Sequence, residues 1–94
     1  MFFVYVLFSF KDHRLYVGYT EDLEARMKKH LQGLVPATQQ RLPLQLIYYE
    51  AYPTMFEAKR REKYLKGGNG RAQLKRQLSE TLVRIGYRHI SNDS

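Results

Sequence analysis

Three polar residues, Arg26, His30 and Glu62, occupy positions where the surrounding sequence pattern is apolar. Arg26 and His30 are four residues apart, so they stack on successive turns of one predicted helix. Glu62 follows Met55 by seven residues and precedes Leu65 by three, which places it in the apolar sector of a second helix. A buried carboxylate needs a cation, a metal ion or water as its partner, because burying it alone is costly. Together the three side chains are suited to holding a phosphate and a divalent cation.

Each of these residues also has a purely structural interpretation. Glu62 is able to pair with Lys59 or Lys66 at the helix surface, where an ion pair contributes only a few tenths of a kcal/mol. Arg26 is able to pair with the aspartate four positions earlier, and His30 is able to be an ordinary half-buried histidine. The sequence pattern leaves both interpretations open.

Tyrosine makes up 8 of the 94 residues, and Tyr5 and Tyr16 lie in two neighbouring predicted strands. If these strands form a hairpin whose paired residue numbers sum to 21 or 23, both phenols emerge on one face. A slip of one residue places them on opposite faces. The structural alternative is that both tyrosines are ordinary aromatic residues of a strand. Gly18 lies in the second strand, where glycine weakens the strand and indicates a close approach to the backbone.

Positive charge is concentrated in one part of the chain. The whole chain has 16 Lys and Arg against 9 Asp and Glu, for a net charge of +7, and residues 59–76 account for all of it. Such a surface favours a nucleic acid as partner, because phosphate contacts release counterions. A solvated helix face is the plainer alternative. The predicted nucleic-acid contacts are Lys59, Arg60, Lys63, Lys66 and Arg71.

The elements that must position these residues follow from the hydrophobic pattern. Residues 2–8, 15–19 and 44–52 are rich in β-branched and aromatic residues, which predicts three strands. The first is apolar throughout and is therefore expected to be covered on both faces. The remaining segments predict helices, in the order ββαβαα, with a mostly antiparallel sheet and an α+β fold.

Three helices are predicted between and after the strands. Thr20 is expected to cap the first, which runs to about Gly33. Thr54 is expected to cap the second, which ends at a turn over residues 67–70, and a last helix covers residues 71–85. The expected inward side chains of the first two helices are Leu23, Met27, Leu31 and Leu34, and then Met55, Ala58 and Leu65.

Length and composition exclude several classes of protein. The absence of cysteine excludes a disulfide framework, a thiolate zinc site and a cysteine nucleophile. The longest apolar run, residues 1–8, is far shorter than the roughly 20 residues of a membrane helix, and no basic residue precedes it. We therefore expect a cytoplasmic protein that does not enter a membrane. One domain over residues 1–86 and a loosely ordered tail over residues 87–94 are predicted.

An ordered set of motifs resembles the GIY-YIG nuclease domain, in particular its small stand-alone bacterial branch. The set begins with Phe3-Val4-Tyr5 and Tyr16-Val17-Gly18 and continues with Arg26, His30 and Glu62. The similarity covers about residues 2–78. It implies a three-stranded antiparallel sheet flanked by helices and a phosphodiesterase that depends on Mg²⁺ or Mn²⁺.

The resemblance also implies a role for each residue. Glu62 would be the only protein ligand of the metal, and Arg26 would contact the phosphate under attack. Tyr5 and Tyr16 would position or deprotonate the attacking water, with His30 as a helper base. Because tyrosine has a pKa of about 10, we expect Arg26 and the metal to lower that pKa.

The chain departs from the family pattern at a few positions. Phe3 replaces the glycine of the first motif, and valine replaces isoleucine in both motifs. Tyr19 replaces a residue that is often smaller, and Leu42 stands where many relatives have a second arginine. Asn69 either matches an asparagine that some family members carry near the metal or belongs to a turn.

Three functions remain as alternatives. The leading one is a metal-dependent endonuclease acting on DNA rather than RNA, with a partner protein to select the target. The second is a nucleic-acid-binding module of the same fold without turnover, and the third is a protein-interaction adaptor with exposed tyrosines.

Overall fold

The structure is a computed structural model that describes residues 1–86, and this part of the chain contains three strands and four helices. The strands are β1 (Phe2–Ser9), β2 (Leu15–Thr20) and β3 (Leu44–Tyr52). The helices are α1 (Leu23–Leu31), α2 (Met55–Lys66), α3 (Gly68–Gln77) and α4 (Ser79–Arg84). The predicted α+β fold is confirmed.

The sheet is antiparallel throughout and has the order β2-β1-β3. Its central strand is buried from Val4 to Ser9, as expected for an apolar strand covered on both faces. In the β1–β2 hairpin Tyr5 pairs with Gly18, so the paired residue numbers sum to 23. Tyr5 and Tyr16 therefore lie on the same face of the sheet.

Helices cover the two faces of the sheet unequally. Helices α2, α3 and α4 cover the face that carries Val4, Val6 and Phe8, and together they form the larger apolar core. Helix α1 covers the opposite face, where Tyr5 and Leu7 form a smaller cluster with residues of α1 and β3. The sheet therefore separates a large apolar core from a small face that is rich in polar side chains.

The start of α1 differs from the prediction. Asp22, and not Thr20, is the N-cap, because its Oδ1 accepts a hydrogen bond from the backbone N–H of Ala25 at 3.1 Å. Thr20 still belongs to β2 and pairs with Phe3, while its hydroxyl accepts a hydrogen bond from the N–H of Asp22. Both residue types cap helices well, and strand pairing decides between them.

The inward faces of α1 and α2 are narrower than predicted. Leu31 and Leu34 are 59% and 62% exposed, and Met55 is exposed as well. In α1 the centre of the inward face is His30, which is fully buried. Val35, in the connection that follows α1, is buried in place of the leucine that precedes it.

The predicted break over residues 67–70 is also wrong. Only Gly67 separates α2 from α3, so Asn69 lies in the first turn of a helix and not in a turn between helices. A side chain at Gly70 would overlap the backbone at Tyr64 and Leu65, which explains the glycine at this tight corner. The single helix predicted for residues 71–85 is interrupted at Leu78 and forms α3 and α4.

In the part of the chain that the structure describes, no helix is long and apolar enough to cross a lipid bilayer. The tail predicted for residues 87–94 lies outside the described residues.

Candidate functional site

The phenol of Tyr5 is the centre of a hydrogen-bonded chain on the α1 face of the sheet. Its oxygen lies 2.7 Å from Nε2 of His30, and Nδ1 of His30 lies 2.7 Å from Oγ1 of Thr38. Arg26 donates from Nε to the same phenol oxygen at 3.4 Å. The simplest proton assignment has Tyr5 donating to His30 and His30 donating to Thr38. Three of the predicted site residues are thus in direct contact.

Tyr16 completes the aromatic part of this site. Its ring centroid lies 6.3 Å from that of Tyr5 and 5.5 Å from that of His30. Tyr5 is fully buried, whereas Tyr16 is only half-buried. Tyr16 is therefore the phenol that solvent and a substrate reach first.

Gly18 makes room for the phenol of Tyr5. A Cβ atom at residue 18 would overlap the ring and hydroxyl of Tyr5, its cross-strand partner. The glycine predicted to allow a close approach is therefore required by a side chain of the site itself, since any larger residue would push the phenol away from His30.

Burial sets the protonation states of this chain. It raises the pKa of Tyr5 to about 12, against a smaller lowering by the hydrogen bond from Arg26. Burial, together with the charge of Arg26, lowers the pKa of His30 to about 4. Arg26 thus acts on the pKa of Tyr5 in the expected direction, but the net shift is upward because the loss of solvation outweighs its hydrogen bond and its charge. A lowering by Arg26 together with a metal ion stays a prediction.

Thr38 is a site residue that the sequence analysis missed. It lies in the irregular connection between α1 and β3, is fully buried, and fixes His30 through its hydroxyl. Threonine in a polar connection is unremarkable by type and spacing. The contact spans eight residues across a chain reversal at Gly33, whose φ is +76°.

Glu62 lies on α2, a helix that packs against β1 and β2 from the other face of the sheet. Its side chain is 17% exposed and its carboxylate pairs with Lys66 at 3.0 Å, one of the two structural partners that the sequence suggested. Glu62 makes no hydrogen bond to the Tyr5 chain within the described residues. Burial is the main cause that raises the pKa values of Tyr5 and Tyr19, and the negative charge of Glu62 adds a smaller contribution to both.

The predicted nucleic-acid contacts divide into two groups. Lys59, Arg60 and Lys63 are exposed on α2. Lys66 is also exposed, but it pairs with Glu62. Arg71 is half-buried, and its guanidinium donates to the backbone carbonyls of α2 and β2 at 3.4 and 3.5 Å. The cations that best match the prediction are therefore the first three.

The donor set fits a magnesium ion held mainly by water and substrate. No group of three or more acidic, cysteine or histidine side chains forms a metal cage in residues 1–86, so Glu62 would hold an ion without such a cage. Mg²⁺ is often bound by one or two carboxylates together with phosphate oxygens and water. The hydroxyl of Tyr19, which feels the charge of Glu62, is buried without a hydrogen-bond partner in the described structure. An unsatisfied buried hydroxyl of this kind is able to bind water, including the water of a hydrated ion.

The comparisons with known proteins agree with the motifs. The family model of the GIY-YIG catalytic domain matches residues 1–76. A UPF0213 protein of Clostridium perfringens is 42% identical over 67 residues, which cover 70% of this chain and 71% of the relative. A UPF0213 protein of Staphylococcus aureus is 42% identical over 65 residues, which cover 68% and 78%. The solution structure of a Bacillus halodurans UPF0213 protein is 34% identical, with a TM-score of 0.45 over 100% of this chain and 95% of that one.

Proposed function

Because the chain belongs to the GIY-YIG catalytic domain family, we propose that it is a divalent-metal-dependent endonuclease that hydrolyses phosphodiester bonds in DNA. The observation that carries this proposal is the contact of the Tyr5 phenol with both Arg26 and His30. A phosphate-binding cation and a proton acceptor thereby share one phenol oxygen.

Arg26 binds the scissile phosphate in this proposal. Its Nε is engaged with Tyr5, and in the described residues no other contact occupies its two terminal nitrogens. These nitrogens are able to donate together to a phosphate, and their interaction strengthens as negative charge develops in the transition state. The contact with Tyr5 keeps the guanidinium close to the phenol oxygen.

The Tyr5–His30 pair moves the proton of the attacking water. Tyr16, the phenol that solvent reaches, would position the attacking water. When that water reaches the buried phenol of Tyr5, its proton would pass to the Tyr5 oxygen while the Tyr5 proton passes to Nε2 of His30. The pKa of Tyr5 near 12 keeps the phenol protonated, and the pKa of His30 near 4 keeps the imidazole neutral and able to accept. Since the charge of Arg26 contributes to the low pKa of His30, a phosphate that neutralises Arg26 raises it. Substrate binding therefore makes His30 a better base.

Glu62 would hold the divalent cation after exchanging its ion pair with Lys66 for the metal. When bound, the cation supplies Lewis-acid stabilisation of charge on the leaving oxygen. The ammonium of Lys66 is half exposed on a flexible stem, so it leaves the carboxylate at little cost.

Cleavage of DNA by the purified full chain tests the proposal. Supercoiled plasmid and nicked or branched oligonucleotides are incubated with Mg²⁺, with Mn²⁺ or with EDTA. We expect metal-dependent cleavage that falls at least 100-fold in Glu62→Gln and Arg26→Ala.

Glu80→Gln is the matched control for Glu62→Gln. Glu80 also forms an ion pair with the residue four positions later, but it is exposed on α4. The control should cut as the wild type does. Salt-sensitive DNA binding without cleavage in any metal would reject the hydrolase and favour the binding module of the same fold.

A further inference from the structure

The outer side of α2 carries aromatic side chains in solvent. Phe56 is 73% exposed and Tyr64 is 43% exposed. Together with Arg60 they are spaced four residues apart, so they follow one another along the helix; we call these three residues the outer stripe. Leaving a large apolar ring in water costs free energy, and two such rings on one helix face indicate a binding surface.

The cations of α2 are arranged around these rings. The guanidinium of Arg60 lies 5.3 Å from the centroid of Phe56, and that of Arg61 lies 5.5 Å from the centroid of Tyr64. Lys63 is exposed in the next sector of the same helix. Rings and cations thus alternate over one surface, and the ligand that fits it carries both flat apolar groups and negative charge.

The outer stripe borders a concave feature. A cleft of about 460 Å³ is lined by Arg60 and Tyr64 of the stripe together with Tyr52, Glu57, Arg61 and Gln73. At the other side of the helix is Glu62, about 120° around the helix from Phe56. A chain that passes over the stripe from the cleft therefore leads toward the proposed metal ligand.

We propose that the outer stripe binds a single-stranded segment of nucleic acid by stacking unpaired bases on Phe56 and Tyr64. This deepens the proposed function and rests on it, since it specifies the substrate class of the same site. Stacking platforms combined with a basic track are how proteins bind single strands, because every base offers an aromatic face and every linkage a charge. A duplex hides its base faces and contacts only the cations. The chain should therefore prefer DNA with an unpaired segment.

A protein ligand fits this surface less well. The net positive charge of residues 59–76 is the whole net charge of the chain, so a partner must be strongly acidic. A second copy of the chain brings the same cations to the interface and is repelled. Both occupants are nevertheless separable outcomes of the test.

Binding of fluorescent oligonucleotides in EDTA tests the proposal without any cleavage. The probes are a single-stranded oligothymidine and a duplex of equal length, titrated with the wild type and with Phe56→Leu, Phe56→Tyr and Tyr64→Leu. Leucine keeps apolar volume and removes the ring. We expect single-strand binding to weaken roughly tenfold in each leucine variant, to survive in Phe56→Tyr, and duplex binding to change less than twofold.

Val83→Ala is the control, since Val83 is exposed and lies on α4 outside the stripe. Equal losses for single strand and duplex, or no loss for either, would overturn the proposal. Sedimentation of the same variants must show an unchanged mass, because dissociation of a wild-type dimer by the leucine variants would assign the stripe to self-association. If the wild type cleaves DNA and the leucine variants still bind single strands normally, the single-strand proposal for the stripe is wrong and the hydrolase proposal stands. If single-strand binding depends on Phe56 and Tyr64 as expected but no cleavage occurs, the hydrolase proposal is wrong and the proposal for the stripe stands.

Discussion

Two carboxylates of similar exposure, Glu50 and Glu62, differ in the number of hydrogen-bond and ion-pair partners that surround them. Their side chains are 14% and 17% exposed, and each pairs with a cation of α2. Glu50 also accepts hydrogen bonds from Tyr48 and Tyr52, both at 2.6 Å, and Arg61 donates to it through two nitrogens. Glu62 has a single ammonium on a flexible side chain.

The difference separates a structural carboxylate from one that is available to bind. Burial acts to raise the pKa of Glu50, but hydrogen bonds from Arg61, Tyr48 and Tyr52 outweigh it and lower that pKa. Four donors occupy the acceptor sites of Glu50, so it has no capacity left for an ion. Glu62 keeps that capacity, since one ion pair, with the ammonium of Lys66, engages its carboxylate in the part of the chain that the structure describes.

Neutralising each carboxylate in turn should produce opposite phenotypes. We expect Glu62→Gln to lose at least 100-fold in metal-dependent cleavage while the free energy of unfolding changes by less than about 0.5 kcal/mol. Glu50→Gln should lower the free energy of unfolding by about 2 kcal/mol, because Arg61 is left without its charge partner, and should retain cleavage. Urea denaturation and plasmid cleavage measure both. Loss of cleavage in a folded Glu50→Gln protein would contradict a purely structural role for Glu50.

A substitution at Gly18 tests whether the hydrogen bonds among Tyr5, His30 and Thr38 tolerate a displacement of the Tyr5 phenol. A methyl group at this position overlaps the Tyr5 phenol, so Gly18→Ala should cost about 2–3 kcal/mol of folding free energy and reduce cleavage. Gly68→Ala is the control, since a Cβ there meets no atom within 4 Å. Thermal and urea unfolding provide the measurement. Equal stabilities of the two variants would show that the close approach is unimportant.

The low pKa of His30 predicts a pH dependence of stability. The pKa is about 4 in the folded protein and 6.5 in the unfolded chain, so between these values the unfolded chain binds more protons. Stability is therefore full above about pH 6.5 and falls as the pH is lowered toward 4, by about 3 kcal/mol.

His30→Gln isolates this contribution. The variant should lose the decline between pH 6.5 and 4 and keep the part at lower pH, which comes from carboxylates such as Asp12 and Glu50 with lowered pKa values. Urea unfolding at several pH values, with the difference between wild type and variant, is the measurement. Parallel curves for the two proteins would refute a neutral buried imidazole.

Thr38 should show the smallest effect. Thr38→Val keeps the shape and removes the hydroxyl, which leaves Nδ1 of His30 unpaired at a cost of about 1 kcal/mol. The ring is then free to rotate, so cleavage should fall by about tenfold, and Thr38→Ser should restore most of it. Unchanged cleavage in Thr38→Val would limit Thr38 to a packing role.

Regular patterns predicted the strands, their covered faces and the close approach at Gly18. Errors arose where two good local signals compete. Asp22 and Thr20 are both strong helix caps, and only the pairing of Thr20 in β2 decides between them. Leu31 fits an inward stripe but is exposed, and the buried position in the last turn of α1 is taken by His30.

Residue types and spacing by themselves determined the three strands and the basic surface. With the family resemblance they also predicted a group of Tyr5, Arg26, His30 and Glu62, of which the structure brings the first three into contact. Only the tertiary structure decided that Thr38 joins His30, that burial and not Arg26 dominates the pKa of Tyr5, and that Glu62 is lightly paired while Glu50 is saturated. The physical reason is that hydrogen-bond satisfaction and desolvation depend on contacts between side chains that are far apart in the sequence. Local sequence patterns do not specify those contacts.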